Sequence, residues 1–114
     1  MSGKYQGGAW PEGARLTVYR DHSARTQTMT KRFVNERTLE AVDRFAAVAN
    51  DCSLSPVAFA VAWTLTHDFV ASTLIGATSP EQLDDSLAGA DAVIPSEALT
   101  ACDRISREIR YPLG

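Results

Sequence analysis

Residues 70–82 read Val70-Ala71-Ser72-Thr73-Leu74-Ile75-Gly76-Ala77-Thr78-Ser79-Pro80-Glu81-Gln82. The first six are mostly apolar or β-branched and are followed by Gly76, which predicts a short buried strand that ends in a turn. Ser79 can cap a helix, Pro80 suits its first turn, and Gln82 stands at the capping-box position. A helix is therefore expected from this point to about Leu87.

Three further helices are predicted around this stretch. Asn35 can cap a helix that begins at Glu36, because apolar residues then recur every three or four positions at Leu39, Val42, Phe45, Ala46 and Ala49. Ser55-Pro56 opens a helix to about Thr66 that is apolar nearly all round and is expected to be buried on most sides, with Val57, Phe59, Val61, Trp63 and Leu65. Ser96 opens the last helix, on which one face carries Leu99, Cys102, Ile105 and Ile109.

The first third of the sequence predicts a different organisation. From Met1 to about Arg32 there is no sustained periodicity, and glycine or proline recurs at Gly3, Gly7, Gly8, Pro11 and Gly13. Such a composition favours an extended loop. Loops of this length inside compact domains are usually functional or disordered.

Composition limits the classes of function. The chain has 114 residues, 45% of them hydrophobic, and a net charge of −3 with its basic residues scattered, so no nucleic-acid surface is expected. The apolar runs 56–65 and 70–77 are too short to span a bilayer, and no secretory signal is visible, which predicts a cytoplasmic protein without membrane contact. Cys52 and Cys102 are expected to be reduced, partly buried thiols, and no metal site is predicted.

The turn after the predicted strand has the geometry of an anion site. A helix N-terminus presents unpaired N–H groups and the positive end of its dipole, Gly76 would let a phosphate approach the backbone, and Thr78 and Ser79 add hydroxyl donors. Strand–glycine–helix turns are also common as plain structural turns. On these residues alone, both interpretations stay open.

Two separated motifs resemble the aldo-keto reductases. The first motif is similar to that family's eighth strand and closing helices, and it consists of Leu54-Ser55-Pro56-Val57-Ala58, an apolar helix, a strand and Gly-Ala-Thr-Ser-x-Glu-Gln-Leu at 76–83. The second motif, Ser2-Gly3-Lys4-Tyr5, is similar to the family's Ser/Thr-Gly-Lys-Tyr after the seventh strand. The nearest branch contains potassium-channel β-subunits and their bacterial relatives. The resemblance implies a mainly α chain with one buried β-strand, the C-terminal fragment of a TIM (β/α)8 barrel. Residues 1–34 would be the cofactor-side loop after the seventh strand, and 35–114 the last helices and eighth strand.

The resemblance also implies an NADP site. Lys4 and Arg15 would approach its phosphates, although both could equally be solvated loop charges. Gly76 and Thr78 would contact the adenosine-phosphate end, and Gln82 would help to hold the adenosine. Where the family usually has Glu-Asn, this chain has the shorter Asp85-Ser86. The expected cofactor-binding set is Lys4, Arg15, Gly76, Thr78, Gln82, Asp85 and Ser86.

No catalytic residue is expected on this chain. The family's Asp, Tyr, Lys and His tetrad lies on segments before the seventh-strand loop, so Lys4 and Tyr5 are not its counterparts. Full-length members reduce aldehydes or ketones by hydride transfer from NADPH. A single strand needs partners for its backbone groups, which implies either a fragment of a larger α/β protein or copies that pair with one another. The alternative function is therefore a non-catalytic helical module that self-associates, and a homo-oligomer is expected.

Overall fold

The computed structural model describes residues 2–77 and 79–113. Over these residues the chain is helical, and a short 3-10 turn at Gln6–Gly8 precedes the first α-helix. The α-helices in chain order are α1 (Arg15–His22), α2 (Ala24–Phe33), α3 (Glu36–Asp51), α4 (Pro56–Leu65), α5 (Pro80–Leu87) and α6 (Ser96–Glu108). Helix α1 packs against α2, α3 packs against α4 and α6, and α5 packs against α4.

The core lies where α3, α4 and α6 meet. Phe59 of α4 is its largest fully buried side chain, and the other core members are Ala49, Ala62, Ile94, Ala98 and Cys102. The apolar face predicted on α6 is confirmed, since Cys102, Ile105 and Ile109 are buried and Leu99 packs against the core. Both cysteines are free thiols, and burial raises the pKa of Cys102.

The predicted starts of α3 and α4 are confirmed by their caps. The Asn35 side chain accepts a hydrogen bond from the Thr38 backbone N–H at 2.9 Å, and the Ser55 hydroxyl accepts one from the Ala58 N–H at 3.0 Å. Each cap pairs an N–H that the helix itself leaves unpaired. The expected burial of α4 on most sides is met on one face only, because Trp63 and Leu65 are exposed.

The predicted strand at 70–75 is wrong. The described residues contain no β-strand, and residues 70–77 run in an irregular conformation with Leu74 96% exposed. The fold class with one buried β-strand and an eighth barrel strand is therefore corrected to an all-helical arrangement over 2–77 and 79–113. A strand is stabilised by hydrogen bonds to a neighbouring strand, and this part of the chain supplies none. The segment is tied instead by a hydrogen bond between the Thr73 and Thr64 hydroxyls at 2.6 Å.

The extended loop predicted up to Arg32 is also wrong, since α1 and α2 occupy most of it. Helix α2 begins with a capping box in which the Ser23 N–H donates to the Thr26 hydroxyl at 3.0 Å and the Thr26 N–H donates to the Ser23 hydroxyl at 3.3 Å. Thr26, Met29, Thr30 and Phe33 follow at helical spacing. This signal is weak in the sequence because half of these residues are threonines rather than large apolar side chains.

A glycine fixes how closely α5 approaches α4. Gly89, just after α5, is buried against α4, where a Cβ atom would lie 2.3 Å from the Ala58 carbonyl oxygen and 2.8 Å from Val61 Cβ. The Ser55 hydroxyl also donates to the Asp85 carboxylate, which joins the start of α4 to α5. These two contacts set the position of α5.

No single helix among the described residues is long and apolar enough to cross a membrane. Helices α3 and α4 together meet the length and composition, and they are bent by 85° relative to each other.

Candidate functional site

A cleft of about 420 Å³ lies between the N-terminal segment, which carries the second motif, and α5, which carries the end of the first. Its walls come from the N-terminal segment and from α5, with Lys4, Pro11, Glu12, Gly13, Ala14 and Gln82 lining it. Lys4 and Gln82, which the resemblance assigns to the phosphates and to the adenosine of one cofactor, therefore face the same space. Both residues are exposed, so a ligand can reach them from solvent.

Aromatic and polar contacts hold the N-terminal wall in place. The Tyr5 hydroxyl accepts a hydrogen bond from the Leu16 N–H in the first turn of α1 at 3.1 Å. The Tyr5 ring packs on Trp10 with 5.6 Å between centroids, and the guanidinium of Arg20, in α1, lies 4.6 Å from the Trp10 ring centroid. The Gln6 amide donates to the Leu39 carbonyl at 2.9 Å and so ties the segment to α3. The backbone that carries Lys4 is therefore positioned by its immediate neighbours.

The charges at the cleft have mixed signs. Helix α1 begins directly after Ala14, so the positive end of its dipole lies at the wall, while its Leu16 N–H is paired with the Tyr5 hydroxyl. Lys4 adds a cation on the same side. Glu12 places a carboxylate in the same lining, and this carboxylate opposes an anion. The cleft thus combines two groups that attract phosphate with one that repels it.

The start of α5 differs from its prediction. The helix begins at Pro80 as expected, but Ser79 makes no side-chain cap, so the capping box predicted with Gln82 is absent. The Ser79 hydroxyl donates instead to the Glu81 carboxylate, and this bond, together with the Glu81 backbone N–H, holds the pKa of Glu81 below its ordinary value. The Ser79 hydroxyl is therefore bonded to a side chain, the Glu81 carboxylate, and does not cap a backbone N–H of α5.

Asp85 and Ser86 have partners within the protein. The Asp85 carboxylate accepts from the Ser55 hydroxyl, and the buried Ser86 hydroxyl donates to the Gln82 carbonyl at 2.9 Å. Neither residue lines the cleft. Their contacts support the packing of α5 on α4 and the geometry of the helix that carries Gln82.

The remaining described residues of the predicted set do not line the cleft. Arg15 is the exposed first residue of α1, next to Ala14. Gly76 is exposed in the irregular segment before α5, and within residues 2–77 and 79–113 no atom beyond its chain neighbours lies within 4 Å of the position its Cβ would take. Thr78 lies outside the described residues. The structure brings Lys4 and Gln82 together and leaves Arg15, Gly76, Asp85 and Ser86 outside the lining.

Two features of this region are not predicted by the sequence. The first is the Glu12 carboxylate in the cleft, which a Pro-Glu-Gly turn does not mark as a site residue. The second is an apolar groove of about 280 Å³ between α3, α4 and α6, lined by Phe45, Phe59, Ala60, Trp63, Thr64, Cys102 and Ser106. At its edge the His67 ring packs edge-on against Trp63 and Phe69, and its Nδ1 lies 3.1 Å from the Trp63 carbonyl.

Comparison with known proteins agrees with the motif resemblance. The sequence model described as "Aldo/keto reductase family" matches residues 7–107. The chain is 30% identical over 112 residues to Protein tas of Escherichia coli, covering 98% of this chain and 30% of that protein. It is 30% identical over 118 residues to the putative voltage-gated potassium channel subunit beta of Schizosaccharomyces pombe, covering 97% of this chain and 33% of that protein. The chain thus spans about a third of the length of these curated relatives.

Proposed function

The chain belongs to the aldo/keto reductase family, and we propose that it corresponds to the C-terminal portion of an NADP(H)-dependent member and carries the adenosine-phosphate end of the cofactor site. The observation that carries this proposal is the cleft in which Lys4 and Gln82 meet beside the N-terminus of α1. In the complete protein, NADPH would supply a hydride to an aldehyde or ketone. The residues of this chain would bind and orient the nucleotide.

The cleft fits a nucleotide in size and in most of its chemistry. Small-molecule sites commonly have volumes of about 300–1,000 Å³, and this cleft has about 420 Å³. An ammonium group and the positive end of a helix dipole suit a phosphate, and the Gln82 amide carries both donor and acceptor atoms for a base or sugar. A 2′-phosphate adds negative charge next to Lys4, which favours NADP over NAD. Glu12 opposes that charge and lowers the expected affinity.

No residue of this chain takes part in the chemical step under this proposal. Lys4 acts as a phosphate ligand, and Tyr5 positions α1 through the Leu16 N–H. Purified chain is therefore expected not to oxidise NADPH above a buffer control when small aldehydes are added. We place the protein in the cytoplasm, where nicotinamide cofactors are available. Turnover that is abolished by a substitution within this chain would contradict the assignment.

The binding proposal is tested by titration with adenosine 2′,5′-bisphosphate and adenosine 5′-monophosphate, followed by amide chemical shifts. The bisphosphate should bind more tightly, and the preference should shrink as salt is raised. Lys4→Gln should weaken bisphosphate binding by about tenfold or less, as expected for one charge-assisted contact. Gln82→Ala should weaken both nucleotides. Lys31→Gln, at the other lysine of the chain, is the matched control and should change neither.

Shift changes should centre on Lys4, Gly13, Ala14 and Gln82. Equal binding of the two nucleotides, or equal effects of Lys4→Gln and Lys31→Gln, would contradict recognition of a 2′-phosphate by Lys4. Absence of shifts at all four residues up to millimolar nucleotide would overturn the proposed site.

A second function, self-association, is favoured by apolar side chains that no other part of the described chain covers. Phe69 is 79% exposed, Leu74 is 96% exposed and Val93 is 88% exposed. Leu83 and Leu87 of α5, which are 40% and 51% exposed, lie one helical turn apart and form a continuous apolar surface of the kind found at interaction sites. We propose that the chain forms a homo-oligomer, and sedimentation velocity over a range of concentrations tests this. A compact monomer up to high micromolar concentration would overturn it.

A further inference from the structure

Helix α2 presents a basic stripe to solvent. Arg25, Thr28, Met29, Lys31 and Arg32 line an open groove of about 480 Å³, and Met29 is 43% exposed within it. Arg25, Thr28, Met29 and Arg32 stand at the spacing of one helix face. Helix α2 contains no acidic residue, and no ion pair involves its three cations within residues 2–77 and 79–113. This surface is cationic at its rim and apolar in its middle.

Helix α5 presents the complementary surface. Leu83 and Leu87, one turn apart, are 40% and 51% exposed, and Asp84 lies between them in sequence and is also exposed. Helix α5 contains Glu81, Asp84 and Asp85 and no basic residue. Asp85 is bound to Ser55 on the inner side, which leaves Asp84 and Glu81 facing solvent. This surface is apolar in its middle and anionic at its rim.

We propose that α5 of one copy docks on the basic groove of α2 in a second copy. Leu83 and Leu87 would occupy the groove beside Met29, with Asp84 facing Arg25 and Arg32. Because every residue that lines the groove lies on α2, the contact is one of helix against helix, in which spaced apolar side chains give affinity and the flanking charges set the register. The inference rests on the proposed self-association and names the surfaces that produce it.

The contact joins two different surfaces, and the proposed arrangement is heterologous, with one head-to-tail contact between each pair of copies. Each copy has one basic groove and one acidic helix, and both stay exposed within a single copy. A heterologous contact builds a ring or an open chain instead of a closed two-fold pair. This property allows a test in which two non-assembling variants restore a single contact when they are mixed.

The first variant is Arg25→Glu with Arg32→Glu, and the second is Asp84→Lys with Leu87→Gln. These positions are exposed and touch neither the core nor the cleft, so both variants should fold. Each should weaken self-association by about tenfold or more, as expected when rim charges are reversed. A 1:1 mixture should give a heterodimer that grows no further, because only one intact groove and one intact acidic helix remain.

Matched controls change the same charges elsewhere on the surface. Arg107→Glu with Arg110→Glu reproduces the first change, and Asp103→Lys with Leu113→Gln reproduces the second, all at exposed positions. Sedimentation velocity at low and high salt measures every sample. The proposal is supported if the wild type and both controls self-associate, each variant alone does not, and the mixture of the two variants forms a heterodimer.

Three results would overturn it in distinguishable ways. If wild type self-associates and the α2 and α5 variants do so equally, the surfaces are wrong while self-association stands. If wild type is monomeric at every concentration, self-association fails as well. A mixture that stays monomeric although each variant has lost assembly would exclude the heterologous contact.

Discussion

Replacing Gly89 by alanine should destabilise the protein by forcing α5 away from α4. The new Cβ would lie 2.3 Å from the Ala58 carbonyl oxygen and 2.8 Å from Val61 Cβ, both in α4. Neither atom is the end of a flexible side chain, so the clash is relieved only when the two helices separate. Overpacking of this kind costs about 1–3 kcal/mol, and contact with backbone places the cost near the upper end of that range.

The measurement is the free energy of unfolding from urea denaturation followed by circular dichroism. In a domain of this size each kcal/mol shifts the melting temperature by about 4–8 °C, so a loss near 3 kcal/mol should lower it by roughly 12–24 °C. Gly76→Ala is the matched control, because none of the described residues beyond its chain neighbours comes within 4 Å of its added Cβ and its backbone is not left-handed. That substitution should leave stability unchanged or raise it by up to about 1 kcal/mol, since alanine restricts the unfolded chain.

Equal stability of the Gly89→Ala and Gly76→Ala variants would refute the steric cause. That result would mean that α5 does not approach α4 as closely as the structure places it. The Gly76 substitution has a second use. If it leaves stability intact but weakens nucleotide binding, the glycine serves the approach of a ligand rather than the fold.

Three other outcomes are expected. Ser55→Ala should lower the free energy of unfolding by about 1 kcal/mol or more, because α4 loses its cap and the Asp85 carboxylate loses its donor; Asp85→Asn should recover part of that loss in the double variant. Glu12→Gln should tighten binding of adenosine 2′,5′-bisphosphate, since it removes the one carboxylate in the cleft lining, and unchanged affinity would place the phosphate elsewhere. The depressed pKa of Glu81 means that its stabilising contribution is present at neutral pH and lost as pH falls through that pKa, so the stability difference between wild type and Glu81→Gln should disappear in acid. A difference that persists unchanged at low pH would rule out that cause.

The elements that could be predicted from the sequence are those whose causes are local. The starts of α3 and α4 follow from Asn35 and Ser55, whose side chains bond N–H groups three residues on. The strand at 70–75 could not be judged in this way, because its stability depends on partners distant in sequence and β-branched residues alone do not provide them. Helix α2 escapes prediction because its inward face is built on threonines, including the buried Thr30.

In the candidate site too, the features that the sequence could not predict depend on residues that are distant in the chain. No local pattern links Lys4 to Gln82, which are far apart in sequence, and their joint role in binding a cofactor, which the family resemblance implies, stays a prediction. The partners of Asp85 and Ser86 depend on how α5 packs on α4, which periodicity does not specify. Glu12 enters the cleft through the turn at Gly13, where the backbone is left-handed with φ of 70°.

The cleft between Lys4 and Gln82 also bears on the folding of the whole chain. A ligand that contacts both Lys4 and Gln82 would link the N-terminal segment to α5 across α1 to α4, as a reversible crosslink does. Because such a ligand binds only the folded form, it leaves the unfolded chain unrestricted, and the gain in the free energy of unfolding follows mass action and grows with the logarithm of ligand concentration. Hydrogen exchange of α1 and of α5 should then slow together as nucleotide is added, although the two helices are far apart in sequence.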